Sequence, residues 1–111
     1  MNANELMVGD WVLINKSPDN PYYKQFGIED FETDKYQYCE PIPLTREILE
    51  KNGFEKCKIP EIEYIGWRLN EEFSVELNAV DDFDWNEVHI AYVHQLQHAL
   101  RLCRIDKEII L

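Results

Sequence analysis

Short stretches in which apolar and polar residues alternate occur along much of the chain. Alternation with a period of two is typical of a half-buried β-strand. In the opening segment ELMVGDWVLIN it predicts a strand at residues 6–8, a turn or bulge at Gly9-Asp10 and a second strand at residues 12–14. Three later segments alternate in the same way and are rich in aromatic or β-branched residues: FEKCKI, EYIGWRL and FSVELNAV. They predict an antiparallel meander, and DDFDWNEVHI predicts an acidic turn that leads into a last strand.

The segment PLTREILEKNGF carries the clearest local signal of a helix. Thr45 is a favourable N-cap residue, and Lys51 places a cation in the last turn, where it complements the helix dipole. The following Asn52-Gly53 tolerates the positive φ at which helices often end. We therefore predict a two-turn helix, with Phe54 folded back on its apolar side.

A second helix is predicted from about residue 92 to about residue 104, where the apolar period changes to that of an amphipathic helix. Its aliphatic stripe consists of Val93, Leu96, Leu100 and Cys103, flanked by Tyr92 and Ala99. On the same helical wheel His94 and His98 fall nearly opposite this stripe, close to Arg101. We therefore expect His94, His98 and Arg101 to lie on an exposed face, where they are candidates for a binding surface.

These elements predict a single α+β domain over residues 1–111. It would contain an N-terminal β-hairpin or SH3-like partial barrel, a short helix, an antiparallel sheet of three or four strands, and the C-terminal amphipathic helix packed on that sheet. The stretch 17–35 begins as a loop and gives no clear assignment. The final DKEIIL is read as a short edge strand or a frayed end.

The charge of the chain narrows the classes of partner. Lys and Arg number 11 against 22 Asp and Glu, which gives a net charge of −11. Such a charge repels phosphate backbones and anionic lipid, so direct nucleic-acid binding is not expected. The apolar runs are too short for a membrane span, and no leader peptide is evident. The three cysteines have wide spacings and no C-x-x-C, which indicates reduced thiols and a cytoplasmic location.

The two histidines four residues apart resemble half of the H-E-x-x-H zinc pattern. In that pattern the residue after the first histidine is a glutamate that acts as general base, whereas this chain has Gln95. A third ligand is also missing, because His89 precedes the helix in a strand. The pair is therefore interpreted as a solvated or partner-facing surface, and neither a metal nor another cofactor is expected.

No other catalytic constellation emerges from the sequence. The acidic segment DDFDWNE fails as a calcium loop, since Glu87 occupies the required glycine position and Val93 the closing glutamate position. Neither a nucleophile elbow nor a glycine-rich phosphate loop occurs. The aromatic residues are interleaved mostly with acids, which favours core packing over stacking on bases. No catalytic residue is therefore assigned.

Three segments resemble a known family: NELMVGDWV (4–12), EPIPLTREILEKNGF (40–54) and YVHQLQHAL (92–100). They look like small uncharacterised proteins from gut Bacteroidetes and their phages or mobile elements, in which a PIPLT helix ending in GF and a YVHQLQ helix recur. The resemblance implies a lineage without an activity. The family motif has His at the position of His94 but Asn at that of His98, which implies that a two-histidine metal site is not a shared feature.

The function expected from these observations is that of a noncatalytic binding or accessory module of phage or mobile-element origin, acting through contact with a protein partner. One alternative is that the acidic surface imitates DNA phosphates and occupies a host nucleic-acid-binding protein. Another is a metal-dependent hydrolase that uses His94 and His98. The sequence leaves the partner and the oligomeric state open.

Overall fold

The computed structural model describes residues 1, 3–15, 21–33, 35–59, 64–77, 83–86 and 88–111. The chain divides into two compact units. The first unit comprises Met1–Pro43 and Tyr92–His94, and the second comprises Leu44–Ala91 and Gln95–Leu111. The expectation of a single domain stays a prediction. No helix among the described residues is long and apolar enough to cross a membrane.

The first unit is built on a three-stranded antiparallel sheet in the order β2-β1-β3. Its strands are β1 (Trp11–Ile14), β2 (Tyr22–Gln25) and β3 (Cys39–Glu40), and its helix is α1 (Ile28–Glu32). Short 3-10 helices occupy Ala3–Glu5 and Lys35–Tyr38. An N-terminal hairpin is present, but it pairs β1 with β2 and does not join the predicted strands at residues 6–8 and 12–14; β3 pairs with the other edge of β1. The buried core is formed by Leu6, Val12, Ile14, Phe26 and Cys39.

The expected strand at residues 6–8 is absent, because a turn occupies this position. Gly9 has a φ of 93°, and the backbone N–H of Asp10 donates to the carbonyl of Met7 at 3.1 Å. The Asp10 carboxylate in return accepts from the backbone N–H of Met7 at 2.8 Å. The turn is thus held by a buried acid, and the chain enters the sheet only at β1.

The acidic stretch that the sequence pattern left unassigned contains α1. Asp30, only 2% exposed, accepts hydrogen bonds from the Gly27 backbone N–H at 2.9 Å and from Lys24 Nζ at 2.7 Å. The hydrogen bond to Asp30 raises the pKa of the Lys24 ammonium group above its usual value, although burial acts in the opposite direction. Phe26 and Phe31 pack edge to face at 4.6 Å between ring centroids. Asp30 therefore links β2 to the beginning of α1.

The second unit contains a five-stranded antiparallel sheet in the order β4-β5-β6-β7-β8. The strands are β4 (Glu55–Ile59), β5 (Tyr64–Arg68), β6 (Ser74–Leu77), β7 (Phe83–Trp85) and β8 (Val88–Ile90). The helices are α2 (Arg46–Lys51) and, from Gln95 onward, α3 (Val93–Leu102), which packs on the sheet. The predicted α+β class is confirmed. The sheet has one strand more than expected, because β7 and β8 form a hairpin in which Asn86 adopts a φ of 47°.

The prediction for α2 is confirmed in its details. The Thr45 side chain accepts from the backbone N–H of Ile48, and Gly53 has a φ of 86°. The backbone N–H of Phe54 donates to the Leu49 carbonyl at 3.0 Å, and both side chains are buried. The helix thus begins and ends where its capping residues predict.

The C-terminal segment is neither a strand nor frayed. Asn52 is 2% exposed, and its side-chain amide forms two hydrogen bonds with the backbone of Ile110. Its Oδ1 accepts from the Ile110 N–H at 2.7 Å, and its Nδ2 donates to the Ile110 carbonyl at 2.8 Å and to the Ile48 carbonyl at 2.8 Å. Ile109 beside it is 1% exposed. One buried amide therefore fastens the last residues to the end of α2.

Replacing Asn52 with alanine should destabilise the chain by about 2 kcal/mol, because the buried backbone groups of Ile110 would lose their partners. Urea-induced unfolding followed by circular dichroism measures the change. Glu50→Ala, an exposed position on the same helix, is the control and should alter stability by less than about 0.5 kcal/mol. Equal effects of the two substitutions would show that the Asn52 amide does not hold the segment.

The three thiols should differ in reactivity. Cys39 is 3% exposed, and burial raises the pKa of its thiol, whereas Cys57 and Cys103 are partly exposed. Because the thiolate is the reactive form, we expect two fast thiols and one that reacts only after denaturation. Disulfide-exchange titration at pH 8 of the wild type, Cys39→Ser and Cys57→Ser measures this. Loss of a fast thiol in Cys39→Ser would contradict the assignment.

Candidate functional site

A pocket of about 200 Å³ lies between α3 and the β7–β8 hairpin in the second unit. We call it the α3 pocket, and its lining residues are Trp85, Val88, His89, Ile90, Gln95, His98, Ala99 and Leu102. The lining is mostly apolar, with two imidazoles and one amide as its polar groups. Small-molecule sites usually measure about 300–1,000 Å³. The volume therefore suits one large side chain better than a cofactor.

The helical wall of the pocket follows from the spacing of four residues. Gln95, His98, Ala99 and Leu102 stand at positions i, i+3, i+4 and i+7, so they share one face of α3. This face adjoins the aliphatic stripe at the buried Ala99, and Val93, Leu96 and Leu100 of that stripe are confirmed as fully buried. The predicted solvent face of α3 is thus in part the wall of a pocket.

Two exposed aliphatic side chains border the α3 pocket. Val88 is 55% exposed and Leu102 is 76% exposed. Fully burying a side chain of this size contributes roughly 1.5–3 kcal/mol. The two residues therefore offer apolar area that a partner could cover.

His94 does not lie where the helical wheel places it. The side chain is buried, with 5% exposure, and its ring stacks on that of Tyr92 at 5.9 Å between centroids. The backbone beside it is fixed, because the Val93 N–H donates to the Ile42 carbonyl at 2.9 Å and Pro43 forms a β-bridge with Tyr92. The expectation of an exposed His94 is wrong, because the side chain is buried against Tyr92 at the point where the start of α3 is hydrogen-bonded to the segment at Ile42.

His98 and Arg101 differ from His94. His98 is partly exposed and lines the α3 pocket, and Arg101 is exposed one turn further along the helix. The histidine that accompanies His98 in the pocket is His89 from β8. His89 Nδ1 lies 3.2 Å from Asp84 Oδ1, across the hairpin. The fold therefore brings His98 on α3 and His89 on β8 to the same pocket, although His89 was expected to lie apart from the helix.

Gln95 occupies the position of the general base in the zinc pattern but has a structural contact. Its Oε1 accepts from the backbone N–H of Ala91 at 2.8 Å. The Ala91 carbonyl in turn accepts from the Leu44 N–H at 2.9 Å. These contacts fix the two-residue connection between β8 and α3, so Gln95 contributes to the position of the pocket walls.

The described part of the chain contains no group of three or more His, Cys, Asp and Glu residues that could hold a metal ion. His94 is enclosed beside Tyr92, and His98 faces the α3 pocket. The two imidazoles thus have different surroundings. The geometry gives the metal-dependent alternative no support.

Residues 88–105 contain no Asp or Glu, although the chain has 22 of them. The same stretch contains all three histidines as well as Arg101 and Arg104. Both the strand wall and the helical wall of the α3 pocket belong largely to this stretch. This interruption of the acidic composition is a signal for the site that lies in the charge pattern and in no short motif.

Zinc should bind weakly. We expect no stoichiometric complex tighter than the micromolar range when zinc is titrated into the protein and the histidine ring resonances are followed, since two ligands would leave half of a four-coordinate sphere to water. His98→Gln is the matched variant. A submicromolar complex that disappears in His98→Gln would restore the metal hypothesis.

In comparisons with known proteins, no protein-family model, no curated protein and no solved structure matches this chain.

Proposed function

We propose that this chain is a noncatalytic binding module that acts through contact with a partner protein. The observation that supports the proposal is the α3 pocket with its exposed aliphatic border, Val88 and Leu102. Protein interfaces are commonly centred on a large side chain that enters such a pocket. The pocket is small for a cofactor but adequate for a side chain of this kind.

The resemblance of the three segments extends this proposal to a biological setting. A cytoplasmic accessory protein of Bacteroidetes, their phages or mobile elements would act through such contacts, and the wide cysteine spacing without C-x-x-C is compatible with that compartment. The proposal needs no catalytic group. Gln95 replaces the general base of the zinc pattern and is bonded to the backbone of Ala91.

The DNA-imitating alternative gains no specific support from the described residues. Two of the acids, Asp10 and Asp30, are buried and hold local backbone, so they do not contribute to a phosphate-like surface. Exposed carboxylates occur in both units, for example Glu29 in the first and Glu76 in the second. We therefore do not propose it.

Partner capture from the native host tests the proposal. Leu102→Glu should reduce recovery of the partner at least tenfold, because a buried charge at the pocket border is costly. Quantitative mass spectrometry of the captured proteins gives the ratio to the wild type. Ile110→Glu introduces the same charge at another exposed aliphatic residue, which is not among those lining the pocket, and should leave recovery unchanged. Equal recovery with both variants would refute the role of the pocket.

A further inference from the structure

We propose that the outer edge of β2 (Tyr22–Gln25) is a second interaction surface, at which an extended segment of a partner protein adds a strand to the three-stranded sheet. This edge belongs to the first unit, whereas the α3 pocket belongs to the second. The inference therefore goes beyond the proposed function and does not depend on it. Its basis is the direction of the backbone groups along β2.

The hydrogen bonds of β1 determine which of its residues face β2. In an antiparallel sheet, successive residues of a strand direct their backbone N–H and C=O groups to opposite sides. The Asn15 N–H donates to the Tyr38 carbonyl at 2.9 Å, and Leu13 pairs with β3 two residues earlier. Asn15 and Leu13 thus direct their backbone groups towards β3. Val12 and Ile14, which alternate with them, direct theirs towards β2.

On β2 the same alternation leaves two residues whose backbone groups point away from β1. The residues opposite the β2-facing positions of β1 are Lys24 and Tyr22, and these bond to β1. Tyr23 and Gln25 therefore direct their N–H and C=O groups to the outer edge. Within the described part of the chain, no strand pairs with this edge and neither residue has a backbone hydrogen bond on that side. An extended chain matches donors and acceptors at every second residue, so the edge specifies a strand as its ligand.

The edge also has little of the protection that proteins usually give to such strands, which is an exposed lysine, a very short strand or a covering element. The edge strand β4 of the other sheet carries the exposed Lys56 and Lys58, and β3 has only two residues. The lysine of β2, Lys24, is instead held by Asp30 at 2.7 Å. The two tyrosines of β2 are 51% and 57% exposed and uncharged.

A shallow pocket beside this edge specifies one side chain of the partner segment. It measures about 340 Å³ and is lined by Leu13, Pro21, Tyr22 and Tyr23. Leu13 and Tyr23 are cross-strand partners, so their side chains lie on the same face of the sheet. In an added antiparallel strand, the residue opposite Tyr23 directs its side chain to this face as well. An aromatic or aliphatic residue at that position covers the apolar lining of the pocket.

A second copy of this chain fits the edge less well than a segment of another protein. Each copy would contribute a strand of only four residues, whereas stable interfaces bury about 1,000 Å² or more. Each copy also carries a net charge of −11, so two copies repel one another. A partner segment can extend beyond the strand and need not carry negative charge. We therefore take a partner segment as the occupant.

Three peptides blocked at both ends test the inference by isothermal calorimetry on the full chain. The first is Lys-Thr-Val-Thr-Phe-Thr-Lys, whose Val and Phe lie opposite Gln25 and Tyr23 when the strand adds antiparallel. The second carries backbone N-methyl groups on Val and Phe, and the third carries them on the threonine after each. We expect the second to bind at least about tenfold more weakly than the first, because both donors facing β2 are lost. The third should bind like the first, and any other order would overturn the inference.

Two variants of the protein locate the contact. Gln25→Pro removes the outward N–H and leaves the hydrogen bonds between β2 and β1 in place, since edge strands tolerate proline. It should weaken binding of the unmodified peptide at least about fivefold. Gln25→Thr keeps the N–H and should bind the peptide like the wild type. Urea-induced unfolding shows that both variants are folded, and undiminished binding to folded Gln25→Pro would overturn the inference.

Amide hydrogen exchange of the wild type, followed by NMR, needs no substitution. In the free chain the amides of Tyr23 and Gln25 should exchange at least about tenfold faster than that of Lys24, and saturating peptide should slow them. Unchanged exchange on addition of the peptide would contradict the proposal. Protection that rises with protein concentration in the free chain, together with a doubled mass in sedimentation, would make a second copy the occupant and overturn the assignment of a partner segment.

Discussion

Ala91 is the residue on which the geometry of the α3 pocket depends. Its N–H donates to Gln95 Oε1 and its carbonyl accepts from the N–H of Leu44. Both backbone groups of this residue, which follows the end of β8, therefore have hydrogen-bond partners, one in the first turn of α3 and one at Leu44. Ala91 is partly buried, so the loss of either partner would cost less than the roughly 1–3 kcal/mol of a fully buried group, and the two bonds together favour one direction in which the chain leaves the sheet. His89 and His98 meet the same pocket because this connection holds the helix against the hairpin.

Local chemistry in the sequence was sufficient to predict several elements. The helix α2 begins after Thr45 and ends before Gly53, as expected. These limits could be predicted because a cap and a positive φ depend on one or two residues alone. The alternating segments became β4, β5 and β6, and Val93, Leu96 and Leu100 of the aliphatic stripe are buried, whereas Cys103 is partly exposed. The predicted acidic turn of DDFDWNEVHI involves residues 81, 82 and 87, which lie outside the described residues, as do the loop residues 16–20.

Other features depend on contacts between residues far apart in sequence, and the periodicity could not show them. A helical wheel assumes one buried face, whereas His94 is buried as well, next to the backbone pairing of Tyr92 and Val93 with Pro43 and Ile42. The meeting of His89 with His98 requires both the β7–β8 hairpin and the short connection to α3. Likewise, the burial of Ile109 follows from the hydrogen bonds of Asn52, more than fifty positions earlier.

The face of α3 that lines the pocket, formed by Gln95, His98, Ala99 and Leu102, makes the pocket sensitive to chain length. Each residue added to an α-helix turns the following side chains by about 100°. A single insertion or deletion between Ala91 and His98 would therefore replace His98 on the pocket wall with a neighbour and move Leu102 away from the border. Substitutions on this face change the pocket one group at a time, whereas a change in length before Gln95 turns all four side chains away together. Divergent versions of this chain should consequently vary in length outside this stretch and retain the spacing between β8 and the last turn of α3.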